Sequence, residues 1–257
     1  MFILKDLYLF VKNLIILGST SPFLQAYQQS DLLGKGIYLA IVAASVICWT
    51  LMLYKTWQIR EARKNSLRFK KKVDLRKGNL LAQEAEGERK ERLPNPYYEI
   101  YVILKKHTVD LLRKNHHVMG QKEGGSYLSP TDIDCIEANL ATAIASQTKE
   151  MDRHLFILST IVGLAPLMGL LGTVWGILIS FSQLQSQAAA ASNQMVLGGI
   201  ALALTTTVLG LLTAIPALIA YNYLKSSIRD FETDMEGFTN EMLSSVEMRY
   251  RKVDIKG

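Results

Sequence analysis

The sequence predicts an all-α membrane protein: three transmembrane helices with long cytoplasmic helical extensions. Three observations predict it. No Asp, Glu, Lys, Arg or His occurs from Leu155 through Leu224, in a chain that is 20% charged overall. "GIYLAIVAASVICWTLMLY", Gly36 to Tyr54, is a further apolar block, closed by Lys35 and Lys55. No stretch of the 257 residues alternates as a strand would. Mean hydropathy is positive, at +0.14. A membrane-spanning helix needs about 20 apolar residues, so the uncharged stretch supplies two spans and the earlier block a third.

Residues 1–35 are apolar but make a poor cleavable signal peptide. Lys5, Asp6, Lys12 and Asn13 recur seven residues apart, interleaved with Ile3, Leu7, Phe10, Leu14 and Leu17. That spacing gives a helix one polar and one apolar stripe, suited to lying on the outer membrane surface. The alternative is a fourth, imperfect span. Residues 36–54 form the first span, with Trp49, Tyr54 and Trp57 at its inner end. Such depths favour aromatic rings.

Orientation follows from loop charge. Between Lys55 and Leu93 there are 13 Lys or Arg residues. The loop between the other two spans, "SQLQSQAAAASNQ", has none. Basic loops stay inside, which makes residues 55–154 cytoplasmic and residues 182–194 a periplasmic loop. The N-terminus is then periplasmic and the C-terminus cytoplasmic. The basic run does not call for nucleic acid, because its place after a span is what topology alone requires. Stretch 60–95 reads either as a solvated helix or as a disordered linker.

Within the cytoplasmic region, "YYEIYVILKKHTVDLLRKNHH" reads as an amphipathic helix after the breaks at Pro94 and Pro96. "GQKEGGSYLSP" is a loop. A further helix starts near Ser129 or Thr131, either of which can cap it, with Asp132 and Asp134 at the positive end of its dipole. Nothing in the sequence stops this helix before the second span, so one continuous rod is expected to enter the membrane. Residues 155–181 form that span and residues 195–223 the third. Residues 224–257 continue the third as a cytoplasmic helix. Tyr221 and Tyr223 mark its inner end, and Trp175 the outer part of the second span, all as anchors.

Cys48 falls in a span and Cys135 in the cytosol, so no disulfide is expected. His107, His116, His117 and His154 make no ligand spacing. No nucleotide loop, zinc motif or catalytic triad is present, so neither a metal nor a cofactor is expected. The informative residues lie in the membrane.

There, small residues form stripes. The second span carries Gly169, Gly172, Thr173, Gly176 and Ser180 at helical spacing. The third carries Gly199, Ala203, Thr207, Gly210, Ala214 and Ala217. Apolar burial does not drive helices together in lipid, and close approach of small residues takes its place. Pro166 and Pro216 can each bend or loosen a helix by leaving a carbonyl unbonded one turn back. A threonine in such a helix can simply bond its own backbone and pack as a small residue. Thr173 and Thr207 both lie on the smallest face of their helix, however, which suits a close or wet neighbour. Neither span contains an ionisable group, so a proton pathway would need its acid from a partner.

"LSTIVGLAPLMGLLGTVWGILISF" with "IALALTTTVLGLLTAIPALIAYNYL" resembles the TolQ/ExbB/MotA proton-channel family, closest to the TolQ and ExbB branch. The resemblance covers about residues 155 to 224. It implies a homo-pentamer in the bacterial inner membrane around a dimer of a TolR/ExbD-like partner with one span and an intramembrane Asp. It also implies a further TonB- or TolA-like protein and work done by proton flow at the outer membrane. Thr173 and Thr207 match the family's pathway threonines, expected to face the partner Asp, while Thr206 is one place off and expected to pack. The family's usual Glu five residues before the third-span threonine is Leu202 here. MotA-like subunits have four spans, which argues against a flagellar role. The competing readings are a non-conducting scaffold joined through the glycine faces and, for want of any catalytic constellation, least of all a membrane enzyme.

Overall fold

A computed structural model of the chain describes residues 27, 31–74, 95–119, 127–186 and 192–251. Five helices take in nearly all of them: α1 Leu32–Asp74, α2 Pro96–Met119, α3 Pro130–Asp152, α4 Leu155–Ser186 and α5 Ser192–Tyr250. Among the described residues there is no strand, only one bridge between Leu128 and Arg251. Segments of α1, α4 and α5 are long and apolar enough to cross a membrane. The N-terminal amphipathic helix, the segment 75–94 and residues 187–191 of the loop between the second and third spans lie outside the described residues.

The chain divides into two units, Met1–Leu53 with His154–Asn222, and Tyr54–Arg153 with Tyr223–Gly257. In the first, large apolar side chains point outward: Leu167, Leu170, Val174 and Leu178 on α4, Leu204, Val208, Leu211 and Ile215 on α5. Ala165, Ala203, Ala214 and Ala217 are buried there, together with larger side chains such as Ile41, Leu158 and Leu202. Large apolar side chains facing outward suit lipid, where tails are as apolar as leucine and close backbone approach is what holds helices together. Both α4 and α5 run unbroken through their prolines, Pro166 and Pro216.

The second unit is built in the ordinary way. Pro96 begins α2, a position where a missing N–H does no harm. Ser129 is the N-cap of α3, and its N–H donates to the Asp132 carboxylate at 2.9 Å. Helix α2 packs against α3. Aromatic rings fill the centre: Tyr97 stacks between Phe231 and Phe238, with centroids 5.9 and 4.4 Å away, and Phe69 meets Tyr98, Tyr101 and Phe238 edge-on. Arg63 pairs with Asp234 at 2.8 Å and Lys70 with Glu241 at 3.0 Å. Both pairs join α1 to α5 in the same register, and both helices run in the same direction. The Tyr97 hydroxyl donates to the Asp234 carbonyl at 3.1 Å. Burial pushes its ionisation up to about 12, and the Asp234 carboxylate adds to the rise.

The continuous rod expected to lead into the second span does not form. Helix α3 ends at Asp152; Arg153 turns to ψ 131°, and His154 adopts φ 72°. Helix α4 then begins at Leu155. No glycine or proline announces this joint, and a non-glycine residue in the left-handed region is uncommon. Lys55 helps to end α3. It is only 3% exposed, and its Nζ donates to the Met151 carbonyl at 2.9 Å. Carbonyls of a last helical turn lack helical partners and favour a cation. Burial pulls the Lys55 ammonium below its usual range, against the opposing pull of Asp152 and Glu150.

Candidate functional site

The site is the pair of apolar helices α4 and α5, and its geometry begins with what is missing from their side chains. Glycines of α4 sit directly against α5. A Cβ on Gly169 would meet the Thr207 Cα at 3.0 Å and the Thr206 carbonyl at 3.1 Å. One on Gly172 would strike Thr206 Oγ1 at 2.2 Å. One on Gly176 would lie 2.7 Å from the Gly199 carbonyl and 2.9 Å from Ala203 Cβ. Returning from α5, a Cβ on Gly210 would lie 2.6 Å from the Ala165 carbonyl, and one on Gly199 2.2 Å from Ser180 Oγ. The two stripes therefore mesh with each other inside one chain. Sequence alone led us to expect these faces around a central partner, but a stripe does not say which helix it meets.

Four hydroxyls in and beside this seam are engaged. Thr206 is 1% exposed and donates to the Ala203 carbonyl at 2.9 Å, filling the notch at Gly172. Thr207 donates across the seam to the Gly169 carbonyl at 3.1 Å and stays partly exposed. Ser180 donates to the Gly176 carbonyl at 2.8 Å. Thr173 is also partly exposed and donates to the Leu170 carbonyl of its own helix at 2.7 Å. Thr207 thus meets α4 one turn before Thr173. In both threonines the hydroxyl proton is already given to a carbonyl, which can only accept. What each offers a neighbour is its oxygen lone pairs.

Leu202 is 4% exposed and packs in the interior of the unit. An acid does lie at the same level of α4. The Trp175 indole N–H donates to Asp31 Oδ2 at 2.9 Å, and Gly34 N–H donates to Asp31 Oδ1 at 3.1 Å. Trp175 was read from sequence as an interfacial anchor; its N–H has a specific partner 144 residues earlier. Nothing in the sequence links these two positions. Cys48 is buried and Cys135 exposed, and both are free thiols.

Comparison with known proteins finds relatives over the same two helices. The model of the MotA/TolQ/ExbB proton channel family matches residues 112–237, which include both α4 and the apolar part of α5. The biopolymer transport protein ExbB of Aquifex aeolicus is 40% identical over 103 residues, covering 40% of this chain and 69% of its own. The Tol-Pal system protein TolQ of Pseudomonas aeruginosa is 32% identical over 195 residues, 72% of this chain and 75% of its own. TolQ of Haemophilus influenzae is 29% identical over 230 residues, 85% and 91% of the two chains.

Proposed function

Because the chain belongs to the MotA/TolQ/ExbB proton channel family, a family of channels rather than enzymes, we propose that this multi-pass membrane protein is the channel-forming inner-membrane subunit of a proton-motive-force-driven motor. In this reading five copies surround a dimer of a small one-span protein carrying an intramembrane Asp. The motor energises an outer-membrane process, acting through a TonB- or TolA-like protein. The N-terminus is periplasmic and the C-terminus cytoplasmic. Thr173 and Thr207 line the pathway.

The observation that carries the reading is the state of those two hydroxyls. Each is partly exposed within the stretch Leu155–Leu224, which has no Asp, Glu, Lys, Arg or His, and each has its proton committed to a backbone carbonyl. A hydroxyl so arranged accepts a hydrogen bond from a protonated carboxylic acid. To donate to a carboxylate it must first release its carbonyl, giving up about 0.5–1.5 kcal/mol. The threonines therefore favour the neutral form of a passing Asp, the form that crosses an apolar region at least cost. The remaining residues of the site have supporting parts. Gly169, Gly172, Gly176 and Gly210 hold the two spans close enough for Thr207 to reach across, and Pro166 and Pro216 each leave a carbonyl without its amide partner.

A second reading, a scaffold that oligomerises and conducts nothing, draws on the same lack of ionisable groups. Proton flux into liposomes containing this chain and its partner separates the two. Flux that disappears when the partner Asp is replaced supports the motor. Assembly without flux, under an imposed gradient, refutes it in favour of the scaffold.

A further inference from the structure

Asp31 is the only acidic side chain among the described residues of the first unit. It precedes α1 and caps it, with Oδ1 accepting from Gly34 N–H, while Oδ2 accepts from the Trp175 indole. One oxygen is held three residues away, at the start of α1, and the other by α4, 144 residues on. Bonds to an ionised acceptor are roughly twice as strong as neutral ones; the stretch Leu155–Leu224 of α4 and α5 holds no cation to compete for the carboxylate, and the Lys35 ammonium lies over the Tyr27 ring.

The direction of this clasp matters. Trp175 and Thr173 are two residues apart, which places them about 200° apart around α4. The indole therefore leaves the helix on the side opposite the Thr173 hydroxyl. The glycine seam with α5 lies on a third side, through Gly172 and Gly176. A seam of small residues alone holds a helix close while doing less to fix its rotation. A directional bond on a different side fixes it.

We propose that Asp31 is a positioning residue: by holding Trp175 it sets the rotation of α4, and with it the direction in which Thr173 presents its oxygen. The inference rests on the reading of Thr173 as a pathway group. It adds to that reading a residue whose side chain is bonded to Gly34 and Trp175 rather than to the threonine.

Two variants separate the clasp from the helix cap. Asp31→Ser retains a good N-cap but has a single, shorter oxygen, so the indole loses its acceptor. Trp175→Phe keeps a ring and loses the N–H. Each is placed beside a Thr173→Cys reporter in the complex reconstituted with its partner. Alkylation of the reporter thiol by a water-soluble reagent is timed, and intact-complex mass spectrometry gives the assembled fraction. Each variant is expected to slow alkylation about tenfold, the scale of one hydrogen bond to a charged group. The two together should slow it no further, with assembly unchanged. A parental rate in either single variant, or losses that multiply in the double, overturns the proposal.

If the thiol fails to react even with Asp31 and Trp175 in place, it is the pathway reading that fails. The clasp is then tested by itself in a Trp49→Phe, Trp57→Phe background. Adding Asp31→Ser should shift the Trp175 emission, and an unmoved emission removes the clasp as well.

Discussion

Gly172→Ala tests the seam at its tightest point. The added Cβ would lie 2.2, 2.7 and 3.1 Å from Oγ1, Cβ and Cγ2 of Thr206, where ordinary contact starts at 3.4 Å. The seam must open by about 1.2 Å at Oγ1, the difference between 3.4 and 2.2. Rotating Thr206 gives no relief, because all three of its side-chain heavy atoms are too close and its hydroxyl is bound to the Ala203 carbonyl. Overpacking of this kind costs about 1–3 kcal/mol. Replacing a helical glycine by alanine returns up to about 1 kcal/mol, so the net loss should be about 1–2 kcal/mol. Gly163→Ala is the control: nothing lies within 4 Å of its Cβ, and the helical gain stands unopposed. Both variants are unfolded in mixed micelles with increasing SDS and the midpoints compared with the parent. Gly172→Ala should unfold earlier and Gly163→Ala no earlier. Adding Thr206→Gly, which removes all three clashing atoms, should recover most of the loss. A Gly172→Ala variant as stable as the parent would show that the helices do not approach this closely, and the reasoning would fall.

Other expectations follow from the same geometry. Thr207→Val keeps the shape and removes the hydroxyl; it should abolish proton flux in liposomes. Mass spectrometry should find the complex intact, since one interhelical hydrogen bond in a membrane contributes only about 0.6 kcal/mol on average. Tyr97 ionises near 12 when folded and about 10 when unfolded. Above pH 10 the unfolded chain therefore loses a proton that the folded one keeps, and stability falls as pH rises, by about 2–3 kcal/mol by pH 12. Tyr97→Phe should remove that part of the decline, and denaturant midpoints at pH 9 and 11.5 measure it. His154 holds a left-handed conformation; His154→Val should destabilise by about 1–2 kcal/mol and His154→Gly should not, as thermal unfolding will show.

Much of this architecture is legible in the sequence because lipid imposes a coarse rule. A run of 70 residues from Leu155 to Leu224 without charge leaves few alternatives to two spans, and Lys35 and Lys55 bracket the remaining one. Ser129 and Pro96 announce helix starts by local chemistry. Features decided by tertiary contact were not legible. The joint at His154 carries no breaker, and Lys55, which reads as the polar end of a span, turns out to be a buried donor to Met151. The small-residue stripes signalled a close neighbour without saying that the neighbour was the next span of the same chain. Asp31 and Trp175 meet across 144 residues, and no periodicity or spacing connects them. Thr173 and Thr207 could be singled out, but the direction of their hydroxyl protons depends on which carbonyls lie within reach.

The notches in the α4–α5 seam also work as a key in a slot. Thr206 occupies the gap at Gly172, and Ala203 the gap at Gly176. These interlocked positions hold the two helices at close range along the whole seam. The second and third spans are accordingly a single closely packed blade. If the assembly turns or bends as protons pass, prising these two spans apart is the costly way to do it.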